Sequence, residues 1–286
     1  MRVRCGPPNS WRAGSRPTIR WRCSVADAAA PIRYVFGTAF DREEERLAHG
    51  EALWDRGTIE KLSHLGVDET WHCLEVGAGR GSVAAWLAAR GAEVTAVDLD
   101  ISRLGRLGAL GVALWELDIS RDPLPEGAYD LIHARLVMQH VGDRAAAVRG
   151  MCRALRPGGY LVLEDTDTTS LFSHVDGEFH ALVKRAAYDV MIDAGYHPRC
   201  GLLDVDLVEA AGLSSVHADG RAEVVRGGSD GARWFALWLE HLRPAMVARG
   251  SVSDVDIDLA VSDLADPRHR WLSQVMVTVT GRKDDR

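Results

Sequence analysis

Residues 73–98 read Cys73-Leu74-Glu75-Val76-Gly77-Ala78-Gly79-Arg80-Gly81-Ser82-Val83-Ala84-Ala85-Trp86-Leu87-Ala88-Ala89-Arg90-Gly91-Ala92-Glu93-Val94-Thr95-Ala96-Val97-Asp98. The first four form a short apolar run, too brief for a helix and typical of a strand buried on both faces. Glycines follow at three alternate positions, 77, 79 and 81. Val83, Ala84, Trp86 and Leu87 then recur at helical spacing, and Gly91 marks the end of the helix. A second apolar run, 94–97, closes on an acid, Asp98.

Strand, glycine turn, helix, strand and acid, in that order, describe the nucleotide-binding half of a doubly wound α/β sheet. The glycines permit tight backbone geometry and let a ligand lie against bare main chain. A helix N-terminus offers N–H groups to a carboxylate or phosphate. Asp98 stands about 20 residues beyond the first glycine, where a carboxylate accepts both ribose hydroxyls. The dinucleotide fingerprint places its third glycine one residue later, where this chain has Ser82, so NAD is not expected to bind.

Glu75-x-Gly77-x-Gly79-x-Gly81 resembles the first motif of the class I S-adenosylmethionine (SAM)-dependent methyltransferases of small molecules. The segments that follow extend the resemblance. Residues 112–119 read as a third strand and a loop bearing Asp118 and Ile119, where this family places an acid for the adenine amino group and an apolar neighbour for the ring. Residues 129–135 read as a fourth strand, and 136–141, Leu-Val-Met-Gln-His-Val, are similar to the family's fourth motif. Leu155-Arg156-Pro157-Gly158-Gly159, leading into a strand at 160–164, is one of the family's most recognisable phrases. Motif by motif, the resemblance covers residues 73–165. It implies SAM as cofactor, held by Tyr34, Glu75, Gly77, Ala78, Gly79, Gly81, Asp98, Leu99, Asp118, Ile119 and His133. It also implies an α/β fold with a doubly wound, seven-stranded, mostly parallel sheet and helical insertions forming a lid.

Composition narrows the alternatives. With 286 residues and 47% hydrophobic content, the chain suits one large domain with insertions. Residues 1–33 hold seven arginines against one acid, Asp27, whereas the other 253 residues carry 27 basic and 40 acidic groups. An acidic body without a basic stripe argues against a nucleic acid partner. No apolar run approaches the roughly 18 residues of a membrane span. The cysteines at 5, 23, 73, 152 and 200 form no CxxC pair, which suits reduced thiols in a cytoplasm and no metal site. Residues 1–33 lack periodicity and read as a disordered basic tail, an Arg-rich transit peptide being the alternative.

The methyltransferase domain is expected over 34–286. A helical prelude over 34–65 closes over the cofactor in related enzymes, and Tyr34 and Phe36 are then candidates to lie against the sulfonium, or simply to pack on the domain. A helix is expected at 101–110. Lid insertions are expected near 170–200 and 229–271, with helices at 176–194, 232–248 and 254–264. Trp234, Phe235, Trp238 and Trp271 either line the lid or belong to its core. A fifth crossover helix is expected at 203–211, and strands six and seven at 216–225 and 274–281.

Methyl transfer needs alignment above all, and a base only where the acceptor must lose a proton. Three candidates follow: His133 at the end of strand four, His140 about a turn beyond, and Asp165 at the end of strand five. Glu75, His133 and Asp165 are expected around one cleft. Arg135 either neutralises an acceptor carboxylate or pairs with a loop acid. The expected function is methyl transfer to a small, partly apolar acceptor by a monomer or homodimer. The alternatives are a peptide- or protein-modifying methyltransferase and a non-methylating cyclase or binding protein on the same fold.

Overall fold

The computed structural model describes Phe36, residues 40–174 and residues 177–285. The expected basic tail and Tyr34 lie outside the described residues. Helix α1 (Glu43–His64) precedes the sheet and has three acids, Glu43, Glu44 and Glu45, in its first turn, where they complement the helix dipole. The quoted stretch then gives β1 (His72–Val76), α2 (Ser82–Ala89) and β2 (Glu93–Asp98). Between β2 and β3 (Ala113–Glu116) the chain makes two 3₁₀ turns, Ile101–Arg103 and Gly105–Leu110, in place of the single helix expected there. Gly105 and Gly108 are the physical reason, since each costs about 1 kcal/mol in a helix interior.

β4 (Tyr129–Arg135), α3 (Arg144–Ala154) and β5 (Leu155–Asp167) complete the matching segment. β5 is longer than the 160–164 run, because its far end pairs with the last strand of the chain. A small hairpin of β6 (Ser173–His174) and β7 (Gly177–Glu178) leads into α4 (Ala181–Asp193) and α5 (Cys200–Ala210). The expected sixth strand divides into β8 (Ser214–Arg221) and β9 (Val224–Arg226), and β9 leaves the main sheet. After α6 (Asp230–Ala248) and α7 (Asp254–Ala265), β10 (Arg270–Leu272) pairs with β9, and β11 (Val275–Arg282) enters the main sheet.

The main sheet has seven strands in the order β3-β2-β1-β4-β5-β11-β8. β1 to β5 pair in parallel, whereas β11 runs antiparallel to both β5 and β8. The central strands are buried on both faces, as their apolar runs predict, whereas the edge strand β3 is largely exposed. Alternation sorts the side chains. Cys73, Leu131 and Val162 pack with Leu62 of α1 and Val83, Ala84 and Leu87 of α2. Leu74, Val76, Ile132, Ala134, Leu161 and Leu163 point the other way, into a core with α3 and α5 residues.

A third core joins Trp54 of α1 to α4, α6 and α7. Leu136, just past β4, and Met276, opposite Thr166 near the end of β5, pack with it. These contacts place the inserted helices at the carboxyl edge of the sheet. Trp234, Phe235, Trp238 and Trp271 are 9% exposed or less and belong to this core. Trp238 donates its indole N–H to Met191 Sδ at 3.1 Å. Among the described residues, no helix is long and apolar enough to cross a membrane.

Candidate functional site

The glycine turn folds against the end of β2. Gly77 and Ala78 donate their N–H groups to Val97 O at 2.8 and 3.1 Å, and Gly81 N–H donates to Ala78 O at 2.7 Å. Gly77 has φ +65, and a Cβ there would collide with Val137 Cγ2. Gly81 has φ +83, and a Cβ there would lie 2.5 Å from Leu107 Cδ1. At both positions conformation and space each demand glycine.

Asp98 Oδ2 accepts from Gly79 N at 2.9 Å and Oδ1 from Asp100 N at 3.1 Å. Burial pushes this carboxyl up, against the backbone hydrogen bonds that pull it down. A carboxylate has about four acceptor sites, so it can also accept from ribose hydroxyls. Leu99 beside it is 54% exposed.

The start of α2 is occupied from within. Glu51 of α1 accepts from Ser82 N at 3.2 Å, and Asp55 accepts from Ser82 Oγ at 3.0 Å. Arg80 bridges to Glu44 and Glu51, both at 2.6 Å. The helix N-terminus expected to receive a ligand anion thus already binds a carboxylate at Ser82 N. Asp118 lies in a loop turn, its Oδ1 accepting from Ser120 N and Oγ at 2.9 and 2.6 Å. Its other oxygen is 3.3 Å from Arg121 Nε. Ile119 is half-buried against the α3–α5 core.

Glu75 and His133 are adjacent on β1 and β4, as expected, but they do not face a cleft with Asp165. Both lie on the α1 face of the sheet, where His133 meets Glu164. The His133 ring is fully buried, with Nδ1 2.7 Å from Glu75 Oε2 and Nε2 3.3 Å from Glu164 Oε2. Desolvation pulls its pKa down, but the two carboxylates override this and raise it to about 9. It is therefore an imidazolium at neutral pH, with both nitrogens donating and no lone pair to take a proton.

Glu164 collects three further donor contacts. Its Oε1 accepts from Arg221 Nη1 and Thr278 Oγ1, each at 2.7 Å, and Thr58 Oγ1 donates to Oε2. Burial raises this carboxyl, but His133 and then Arg221 and Arg135 hold it well below the usual carboxylate range. Arg135 donates to Thr58 Oγ1 at 2.9 Å and to Asp55 Oδ1 at 2.8 Å, so its acid partner comes from α1. Glu75, Glu164 and Asp55 thus balance His133, Arg135 and Arg221 in one buried network that seats α1 on the sheet. Such a network specifies geometry and is costly to break at one member.

Asp165, one residue along β5, points to the opposite face. It is fully buried, accepts from Gln139 N at 3.2 Å, and lies in one group with Cys200 and Asp204 of α5. Desolvation first and the charge of Asp204 next push its carboxyl far up from the usual carboxylate range. The group has metal-ligand chemistry, but Arg144 Nη1 is already 3.1 Å from Cys200 Sγ and supplies the local positive charge.

Leu136 has φ +60, a conformation costing a branched residue on the order of 1–3 kcal/mol, and a 2.7 Å bond from its N–H to Glu164 O holds it there. It turns the chain into the 3₁₀ segment Met138–His140 above the carboxyl edge. His140 is half-buried between Phe36 and Tyr196, at ring separations of 5.9 and 5.2 Å. Burial and the nearby Arg46 charge lower its pKa to about 3, so the ring is neutral.

Glu164, Asp55, Thr58, Arg221 and Tyr196 are not singled out by the motifs, nor is Gln139 within the fourth-motif segment. An acid inside an apolar strand was the available signal for Glu164. The others carry none, because their partners are distant in sequence.

The methyltransferase domain family matches residues 74–163. The demethylmenaquinone methyltransferase of Mycolicibacterium vanbaalenii is 31% identical over 131 residues, 45% of this chain and 56% of that protein. The malonyl-[acyl-carrier protein] O-methyltransferase of Pseudescherichia vulneris is 30% identical over 128 residues, 42% of this chain and 51% of that one. The chain thus spans about half the length of these curated relatives. In fold it is similar to a solved structure from Galdieria sulphuraria assigned as a sarcosine dimethylglycine methyltransferase. The TM-score is 0.52 at 16% identity, covering 81% of this chain and 85% of that one.

Proposed function

We propose, from the premise that this chain belongs to the class I, Rossmann-like SAM-dependent methyltransferases, that it moves a methyl group from SAM to a small-molecule acceptor. The observation that carries this reading is the Gly77–Gly81 turn bonded to Asp98 inside the family-matched segment. When bound, SAM supplies a methyl carbon made electrophilic by its sulfonium.

Asp98 holds the ribose hydroxyls, and the bare main chain of residues 77–81 lies under the amino-acid moiety. Asp118 and Ile119 flank the adenine, with Ala78 and Leu99 beside them. Glu75 and His133 act one step back, shaping the floor by anchoring β1, β4 and α1 to one another. The inserted helices α4, α6 and α7 cover the carboxyl edge and exclude water. His140, beside Phe36 and Tyr196, is the group proposed to touch the acceptor. His133 is an imidazolium, and Asp165 is fully buried beside Cys200 and Asp204 on the opposite face, so neither is proposed as a base. The relatives are named for demethylmenaquinone and for malonyl-[acyl-carrier protein], and a small, partly apolar acceptor is proposed here.

Calorimetric titration with SAM and with its demethylated product tests the reading. Asp98→Ala removes two charge-assisted hydrogen bonds, each worth about 1.5–3 kcal/mol, so affinity is expected to fall by roughly 10²-fold or more. Unchanged affinity in that variant, or binding of NAD in place of SAM, overturns it. A screen of candidate acceptors with labelled methyl donor then finds the acceptor class.

A further inference from the structure

The first turn of α5 lies against the far end of β5. A Cβ on Gly201 would come 2.4 Å from Asp165 O, and Arg199, just before the helix, donates from Nε to Asp167 Oδ2 at 2.7 Å. Into this contact the chain puts two acids and a thiol. Asp165, Cys200 and Asp204 are fully buried, and one polar atom of each lies within 4.8 Å of the other two. Asp165 Oδ1 accepts from Gln139 N at 3.2 Å. Asp165 Oδ2 meets no donor among the described residues, although the Asp204 carboxyl is within hydrogen-bond reach of Asp165. A buried polar atom left without a partner is rare in a folded protein.

Charge makes the same demand as the bare oxygen. Arg144 of α3 places Nη1 3.1 Å from Cys200 Sγ and 3.9 Å from Asp204 Oδ1. One guanidinium balances one carboxylate, and two carboxylates in contact in a dry site disfavour each other's charge. Burial pushes both carboxyls up, and Asp204 is drawn back by Arg144 and then by Cys200 and Asp165. The Cys200 thiol, pushed far up by burial and then by the two acids, donates to Asp204 Oδ1 at 3.6 Å. His140 and His197 are held down by burial first and then by Arg46 and Arg144 respectively, so neither ring adds positive charge. The Tyr196 phenol, pushed up by burial, is hydrogen-bonded to Thr166, and Asp167 is paired with Arg199. A proton on Asp165 Oδ2, donated to Asp204, satisfies the bare oxygen and leaves one negative charge opposite Arg144.

We propose that Asp165 and Asp204 share one proton, which makes them a pH-sensitive clasp joining α5 to the end of β5 and, through Gln139, to the Met138–His140 segment. The clasp does not depend on what the protein methylates. Its stabilisation is complete while the unfolded chain is also protonated. As pH rises above the ordinary carboxylate range the unfolded chain gives up the proton first, so stability falls until the folded pair ionises as well. Loss of the proton in the folded chain sets two carboxylates against one guanidinium and loosens α5 from β5.

The test is infrared spectroscopy of the full chain with isotope-labelled aspartate carboxyls, since a protonated carboxyl and a carboxylate absorb in separate bands. At about pH 7 an ordinary aspartate, with a pKa of about 3.9, is ionised. The wild type is expected to show a protonated-aspartate band at that pH. Asp165→Asn is expected to lose the band, its amide donating to Asp204 in place of the acid. Asp204→Asn is expected to lose it too, because Asp165 is then the carboxylate left to balance Arg144. Asp98→Asn, at another buried aspartate whose carboxyl is pushed up, is expected to keep it. No such band in the wild type, a band that survives in either Asp165→Asn or Asp204→Asn, or its loss in Asp98→Asn overturns the proposal. Should one of the first two variants fail to fold, the other still decides. Zinc retained through dialysis by the wild type and not by Asp165→Asn overturns it in favour of a metal site.

Discussion

Replacing His133 by glutamine removes a buried charge while leaving groups that hydrogen-bond to Glu75 and Glu164. The size of the effect follows from the titration of the imidazole. Its pKa is raised from 6.5 to about 9 in the folded protein. At about 1.36 kcal/mol per unit, that difference is worth roughly 3 kcal/mol of folding stability. A raised pKa stabilises fully below the unfolded value, and the contribution is lost as pH rises through the folded one. The wild type is therefore expected to exceed His133→Gln by roughly 3 kcal/mol at pH 6, and the gap is expected to close by about pH 9. In a domain of this size each kcal/mol moves the melting temperature by about 2–4 °C, so the gap at pH 6 is roughly 6–12 °C. Urea and thermal unfolding at a series of pH values measure it. A difference that stays constant across pH 6–9, or no difference at pH 6, refutes the view that His133 is a charged structural member.

Gly77→Ala is expected to cost about 1–3 kcal/mol, since it strains a positive φ and drives a methyl group into Val137; Val137→Ala should recover part of the loss in the double variant. Asp165→Asn removes a carboxyl whose charged form burial and Asp204 disfavour, so it is expected to raise the melting temperature, the gain growing as pH rises above the ordinary carboxylate range; a loss of stability that grows with pH would contradict the raised carboxyl. Ser253 forms a capping box with Asp256 at the start of α7, and Ser253→Ala is expected to lower stability by about 1 kcal/mol in the same unfolding assay.

The strand-turn-helix-strand unit was legible because its determinants are local. An apolar run too short for a helix, glycines where the backbone must be left-handed, and an acid after the next strand lie within 26 consecutive residues, Cys73 to Asp98. The same locality made α6 and α7 readable from their periodicity to within two residues at their starts and one at their ends. It failed where two weak signals competed. Gly105 and Gly108 turned an expected helix into 3₁₀ turns, and β9 left the sixth strand to pair with β10 across the length of α6 and α7.

The site divides along the same line. Motifs chose the strand ends and turns that carry Gly77, Asp98, Asp118 and His140, because each position follows from the chain just before it. Which side chains meet was decided by the tertiary structure. Successive residues of a strand point to opposite faces, so Glu164 joins His133 under α1 while Asp165 joins Asp204 on α5, although the two acids are neighbours in sequence. Whether a histidine is charged or neutral is likewise a property of its surroundings. His133 between two carboxylates holds a proton, and His140 near a buried arginine does not. Those surroundings come from α1, β5, β8 and β11, which only the folded chain brings together.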